Sequence, residues 1–239
     1  MIESSTRILV FILFGRILGD IRGRRRVWQA RRAVSTFWVL VCKLKPMRAA
    51  FKEWAIVVDA LGRGEQIIIL RKGGISEGRG GFKMEHERFL LFPTLFHQQR
   101  ESVIPSAQAR YDVIAPAFAP ADKLRLEFFA EVVQAKQLHS LGEANALHGQ
   151  HIWRDEVIAE RFDWGQSKAI FVLAVRIYRL PQTIELPMLS AYEGCKSWIQ
   201  VEHEIATDGA KPVLADIDFD ARLGRFRGSL AESGVLSNG

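Results

Sequence analysis

Residues 51–98 constrain the fold most, because they hold three short apolar runs separated by turn-forming residues. The first run, Ala55-Ile56-Val57-Val58, follows Phe51-Lys52-Glu53-Trp54. A turn at Leu61-Gly62-Arg63-Gly64 leads to the second, Ile67-Ile68-Ile69-Leu70. Two β-branched runs joined by a short glycine-bearing turn predict a β-hairpin. A third run, Phe89-Leu90-Leu91-Phe92, stops at Pro93-Thr94, and Thr94 is placed to cap a helix that carries His97 and Gln98 in its first turn. Polar residues gather where the runs end, as in Arg71-Lys72-Gly73-Gly74. There side chains leave the core and can meet a ligand.

The chain of 239 residues is long enough for one sizeable core with a modest appendage. Its net charge of +6 suggests a nucleic-acid partner until it is divided by position. Residues 1–46 hold ten Lys/Arg against two Asp/Glu, and residues 47–239 hold 23 against 25. Bulk charge therefore gives the body no argument for DNA binding. In the first 46 residues the apolar stretches 8–14 and 33–42 fall short of the ~20 residues a spanning helix needs. The order of charge and apolar residues does not suit a secretory signal either. Gly15, Gly19 and Gly23 interrupt any interfacial helix at about 1 kcal/mol each relative to alanine. Well-patterned sequence begins at Met47, so Met47 is the expected start, with residues 1–46 a basic, apolar extension. Two cysteines, Cys42 and Cys195, make no disulfide framework and fit a reducing cytoplasm.

Beyond the third run, residues 107–113 and 155–162 read as short helices, as does 140–147. Residues 124–138 read as a strand with Leu124, Leu126, Phe128, Ala130, Val132, Gln134 and Lys136 on one face. Residues 168–180 form the longest apolar run and a strand inside the sheet, ending in Arg176 and Arg179. After Thr207 an acidic patch at 216–220 leads into a Gly/Ser tail expected to fray. The expected architecture is a single α+β domain over residues 47–205, with a mixed, largely antiparallel sheet and packed helices. Residues 206–239 form a partly disordered tail.

Five motifs carry a family likeness: FKEW (51–54), RKGG (71–74), FPT followed by HQ (92–98), HIW (151–153) and YEGCKSW (192–198). Together, over residues 51–201, they resemble the bacterial domain of unknown function 1802. That family has no established activity. Its association with Mrr-like restriction endonuclease domains implies a setting in DNA restriction or defence.

Three constellations could support chemistry. Gln134-Ala135-Lys136, with Asp112 or Asp122 upstream, is similar to the Q-x-K core of restriction nucleases. In such a core, Asp and Gln hold Mg²⁺ and Lys orients water. Cys195 could be activated by His97 or His151 with Lys196 beside it. His148 and His151, with His139 or Glu156, have metal-ligand spacing, but Gly149 intervenes and no Cys pair accompanies them, so no metal site is expected. The Gly-rich residues 73–81 lack the Walker and G-x-G-x-x-G spacings, and no Glu-rich Nudix signature follows Pro93. The expected site is an anion-accepting cleft built from Arg71, Lys72, Gly73, Gly74, His97, Gln98, His151, Arg176 and Lys196. It implies a module associated with nucleic acid or a nucleotide. The alternative is a metal-dependent nuclease or other hydrolase, using Mg²⁺, with Cys195, His97, His151 and Lys136 as catalytic candidates.

Overall fold

The hairpin expected from the two β-branched runs does not form. The first run is a helix, α1 (Ala55–Gly62), entered directly from strand β1 (Met47–Trp54). Seven of its eight residues are buried, so it is apolar on every side and shows no helical period in sequence. The second run is β2 (Ile68–Arg71). The computed structural model describes residues 46–72, 82–165 and 168–236, all within the compact unit that begins at Pro46. Expectations for the N-terminal extension, Cys42, Gly73 and Gly74 lie outside the described residues.

Further strands are β3 (Arg88–Thr94), β4 (Lys123–Leu138), β5 (Ile170–Pro187), β6 (Trp198–Ile205) and the two-residue β7 (Lys211–Pro212). They make one mixed sheet in the order β2-β5-β4-β3-β1-β6, with β7 on β5. Among the described residues only β1 and β3 run parallel; the other pairs are antiparallel. Strands β1 and β2 are thus separated by β3, β4 and β5. Four more helices, α2 (Pro105–Ile114), α3 (Leu141–Asn145), α4 (Asp155–Asp163) and α5 (Asp216–Leu236), complete the α+β domain.

Both faces of the sheet are covered. Alternate residues of β1 and β3 enter different clusters, Phe51, Phe89 and Leu91 one, Ala50, Leu90 and Phe92 the other. That is why Phe89 to Phe92 reads as an unbroken apolar run. The first cluster receives Tyr111 of α2, Ala144 of α3, Ile158 and Phe162 of α4, and Phe219, Leu223, Phe226 and Leu230 of α5. The second is filled by Leu126, Phe129, Tyr178, Val201 and Tyr192.

Two expectations are corrected here. A bulge between Val132 and Gln134 steps the pairing from Val132↔Val175 to Gln134↔Ala174. It moves Gln134 and Lys136 to the face opposite Ala130 and Val132, and an earlier register shift between Leu126 and Phe128 already puts Leu124 and Leu126 in the second cluster but Phe128 and Ala130 in the first. The expected frayed tail contains the 21-residue α5 instead. Asp216 and Asp218 in its first turn complement the helix dipole, and its apolar residues recur at helical spacing into the core.

The sheet also curls. Arg71 ends β2, the first strand of the order, and donates to the hydroxyl of Ser197, which precedes β6, the last. Among the described residues no helix is long and apolar enough to cross a membrane.

Candidate anion-binding site

The parallel pair β1/β3 ends in Glu53-Trp54 beside Pro93-Thr94. Glu53 is only 2% exposed. Its Oε1 accepts the Trp54 backbone N–H at 2.7 Å, while Oε2 lies 3.9 Å from Arg71 Nη1. No hydrogen bond reaches Oε2 among the described residues. Thr94 Oγ1 donates to Glu53 O at 3.2 Å, and Gln99 Nε2 donates to Thr94 O at 2.7 Å, so the strand ends are fixed from both sides.

Arg71 leans over the Phe51 ring and donates from Nε and Nη2 to Ser197 Oγ at 3.2 and 3.0 Å. Lys72 donates to Phe162 O at 2.7 Å, a cation on the last turn of α4. That helix begins with Asp155 and Glu156 and buries Ile158 and Phe162. Arg161 stands three residues after Ile158 and shares its inward face. Its guanidinium carbon lies 3.8 Å from the Trp153 ring centroid and 5.0 Å from that of Trp54. The two indoles meet edge to face at 4.7 Å. Trp153 is held by a bridge to Val103, and Gln66 Oε1 accepts the N–H of neighbouring Ile152 at 3.1 Å.

Several donors in this cluster have no protein acceptor among the described residues, and none of them is sealed from solvent. Among the described residues, Arg161 donates no hydrogen bond, and neither do the indole N–H groups of Trp54 and Trp153. Burial pushes the Arg161 guanidinium down to about 10, opposed by nearby Glu53 and aided by Arg71; it remains charged at neutral pH. Alternation sends Lys52 to the other side of β1, where Nζ donates to Gly194 O at 3.0 Å and lies over Phe92. Burial lowers the Lys52 pKa, and the neighbouring Lys196 lowers it further. Lys196 is exposed beside Trp198 and Gln200 in a hollow of about 240 Å³.

The five motifs therefore meet. FKEW gives Lys52, Glu53 and Trp54, RKGG gives Arg71 and Lys72, FPT gives Thr94, HIW gives Trp153, and YEGCKSW gives Lys196 and Ser197. Other expected residues stand elsewhere or differently. His97 and Gln98 are exposed on a 3₁₀ turn (His97–Gln99), and the buried member is Gln99, whose Oε1 has no partner. His151 is buried with Nδ1 unpartnered, and burial pushes it down to about 4. Cys195 is exposed near Lys52, and no hydrogen bond joins it to His97 or His151 among the described residues.

Arg176 pairs with Asp216 and lies five residues along β5 from Phe171, the register partner of Arg71, about 16 Å at strand rise. Lys136 is bound to Glu143 at 2.8 Å, Gln134 accepts from Arg227 at 2.9 Å, and Asp112 is held by Arg100 at 2.8 Å. Lys136, Gln134 and Asp112 of the nuclease-like constellation thus each have a separate partner. His148 Nδ1 lies 2.8 Å from Asp155, and no group of three or more His, Cys, Asp or Glu among the described residues could hold a metal ion. A separate, mostly apolar hollow of about 300 Å³ between α1, α2 and β4 has Asp59 and Arg110 paired to each other in its wall.

The sequence reading missed Arg161, Glu53 and Ser197 as site residues. A signal existed for Arg161, a charge on the apolar face of an amphipathic helix. Glu53 and Ser197 carried none beyond membership of a motif.

A family model described as Domain of unknown function (DUF1802) matches residues 50–225. The chain belongs to that family. The DUF1802 match takes in all five motifs and extends into α5, so half of that helix lies within the family domain. No curated protein matches. Among solved structures, ASCH from Zymomonas mobilis is similar at 11% identity over 74% of this chain and 92% of that chain, with a TM-score of 0.38. A serine-to-alanine variant of ZmASCH is 10% identical over 76% of this chain and 97% of that chain, with a TM-score of 0.39. Likeness of that degree carries no functional reading, and the site is read from its own residues.

Proposed function

We propose that this DUF1802 protein binds the phosphate of a nucleic acid or nucleotide between Arg71 and Arg161, with Lys196, next to Ser197, at the rim. The observation that carries the reading is Arg161, a charged guanidinium stacked on Trp153 with no hydrogen-bond acceptor among the described residues. A half-buried guanidinium that donates no hydrogen bond has donors to spare, and an anionic ligand meets them with charge-assisted, bidentate bonds. Aromatic rings beside the cations favour a ligand with planar bases over a bare anion.

The test is fluorescence anisotropy of labelled oligonucleotides across a salt series. Replacing both Arg71 and Lys196 with alanine should reduce the salt slope by about 2, as two phosphate contacts are lost. Arg161→Lys, which keeps charge but loses the planar fork, should weaken binding about tenfold. Affinity unchanged in both variants would overturn the proposal.

A further inference from the structure

The hollow between α1, α2 and β4 has a volume of about 300 Å³, against the ~150 Å³ of an apolar cavity that holds benzene. Val58, Leu91, Ile114, Phe118 and Phe128 give it apolar walls. Phe128 is a fixed wall: its ring tip packs directly on Gly62, where a Cβ would overlap it, and the Arg179 guanidinium carbon lies 4.5 Å from its centroid. On the crossing from α2 to β4, the N–H groups of Ala117 and Phe118 donate back to Ile114 O and Ala115 O at 3.1 and 3.3 Å. The space is therefore formed before any ligand arrives.

Its charged groups are unevenly matched. Asp59 accepts from Nε and Nη2 of Arg110 and lies 3.2 Å from Arg63; Glu127 lies 3.5 Å from Arg179. Glu185 pairs with Arg125 at 3.2 Å and with Lys123 at 3.6 Å. Each carboxylate here thus already has a cation, whereas the guanidiniums have N–H groups left over. Nη1 of Arg110 and Nη1 of Arg125 donate to no described residue, and Arg125 Nε is closed to solvent without a partner. Leaving such a donor unmet is costly. The Arg125 side chain is 41% exposed, so its guanidinium has room to turn that edge towards the hollow.

We infer that this hollow is a second binding site, for a small monocarboxylic acid whose apolar body lies against Phe118 and Phe128 and whose carboxylate is received by Arg125 and Arg110. The charge balance selects the head group. An amine would have to take a carboxylate from its partner, whereas an acid meets donors already in excess. The volume selects the body: on the benzene scale it takes about twelve non-hydrogen atoms, one ring or a short chain, and is too small for a nucleotide. The site is independent of the phosphate reading above.

The experiment is ligand-observed NMR on the full chain with phenylacetate, octanoate, phenylacetamide and phenethylamine. At least one acid should bind with a Kd below about 1 mM, and the tighter of the two shows whether the body is a ring or a chain. The amide should bind about tenfold more weakly than phenylacetate, and the amine not at all. Arg125→Met keeps the apolar stem and should weaken the acids about tenfold while leaving the amide unchanged. Ala117 lines the hollow from an exposed position, so Ala117→Trp should fill the space without disturbing the core and abolish binding of every probe. Replacing Arg71 and Lys196 with alanine should leave acid affinity as it is. An amide as tight as its acid, acid binding untouched by Ala117→Trp, or no saturation by either acid at millimolar concentration would overturn the inference and leave the phosphate site standing. Should a variant not fold, the wild-type comparison of acid, amide and amine decides alone.

Discussion

Arg161 holds its guanidinium carbon 3.8 Å from the ring centroid of Trp153 and donates a hydrogen bond to no described residue. Stability and function make opposite demands on such a group. Without ligand, replacing a half-buried guanidinium that makes no hydrogen bond by an apolar side chain of similar length is close to neutral. Arg161→Met should therefore unfold in urea close to the wild-type midpoint while losing oligonucleotide binding. A loss of more than about 3 kcal/mol would mean that the guanidinium is a structural strut rather than a ligand contact.

His151 should make the fold acid-sensitive. Burial pushes its pKa down to about 4 from 6.5; Asp155 acts the other way, and His148 and Arg161 reinforce the fall. The unfolded chain takes up this proton near 6.5 and the folded chain only near 4. Stability contributed by the neutral ring is thus complete above 6.5 and is lost as pH falls towards 4, by about 3 kcal/mol in all. Urea unfolding of wild type and His151→Gln at pH 7.5, 6 and 5 isolates this component. Parallel curves for the two proteins would refute it.

Ser140 and Glu143 cap α3 reciprocally: Ser140 Oγ accepts the Glu143 N–H at 3.1 Å, and Glu143 Oε2 accepts the Ser140 N–H at 3.3 Å. Ser140→Ala should cost about 1 kcal/mol in chemical denaturation. Glu143→Ala should cost more, because Glu143 also binds Lys136.

Gly64 and Gly149 both have positive φ, 69° and 72°, but different surroundings. A Cβ on Gly64 would meet Leu214 Cδ2 at 2.6 Å, whereas one on Gly149 meets nothing within 4 Å. Gly149→Ala should cost about 1 kcal/mol through backbone strain alone, and Gly64→Ala about 1–3 kcal/mol more through overpacking. Equal melting temperatures for the two variants would contradict this ranking.

How much was legible in the sequence depended on whether a local signal existed. Strand β4 was, because Leu124, Leu126 and Phe128 alternate with charged residues, but the register shifts at Leu126/Phe128 and Val132/Gln134 left no trace and both face reversals went unseen. Ile56-Val57-Val58 reads as strand because β-branched residues favour it, yet a helix buried all round hides its period, and tertiary packing decided the outcome. α5 was masked by Gly224 and Gly228, which weaken helix propensity, although Phe219, Leu223, Phe226 and Leu230 kept helical spacing. The convergence of the five motifs followed from their placement at run ends. The role of Glu53 did not, since its meaning comes from Arg71 and Arg161, 18 and 108 positions away.

The Arg71–Ser197 contact fastens the first strand of the sheet order to the threshold of the last. In the proposed site, an anion that holds Arg71 in place therefore also steadies the latch between two outermost strands. Occupancy and breathing of that seam become one equilibrium. Backbone amides of Ile68–Arg71 and Trp198–Ile205 should exchange with solvent more slowly whenever the anion is bound, with no matching change in the interior strand β4.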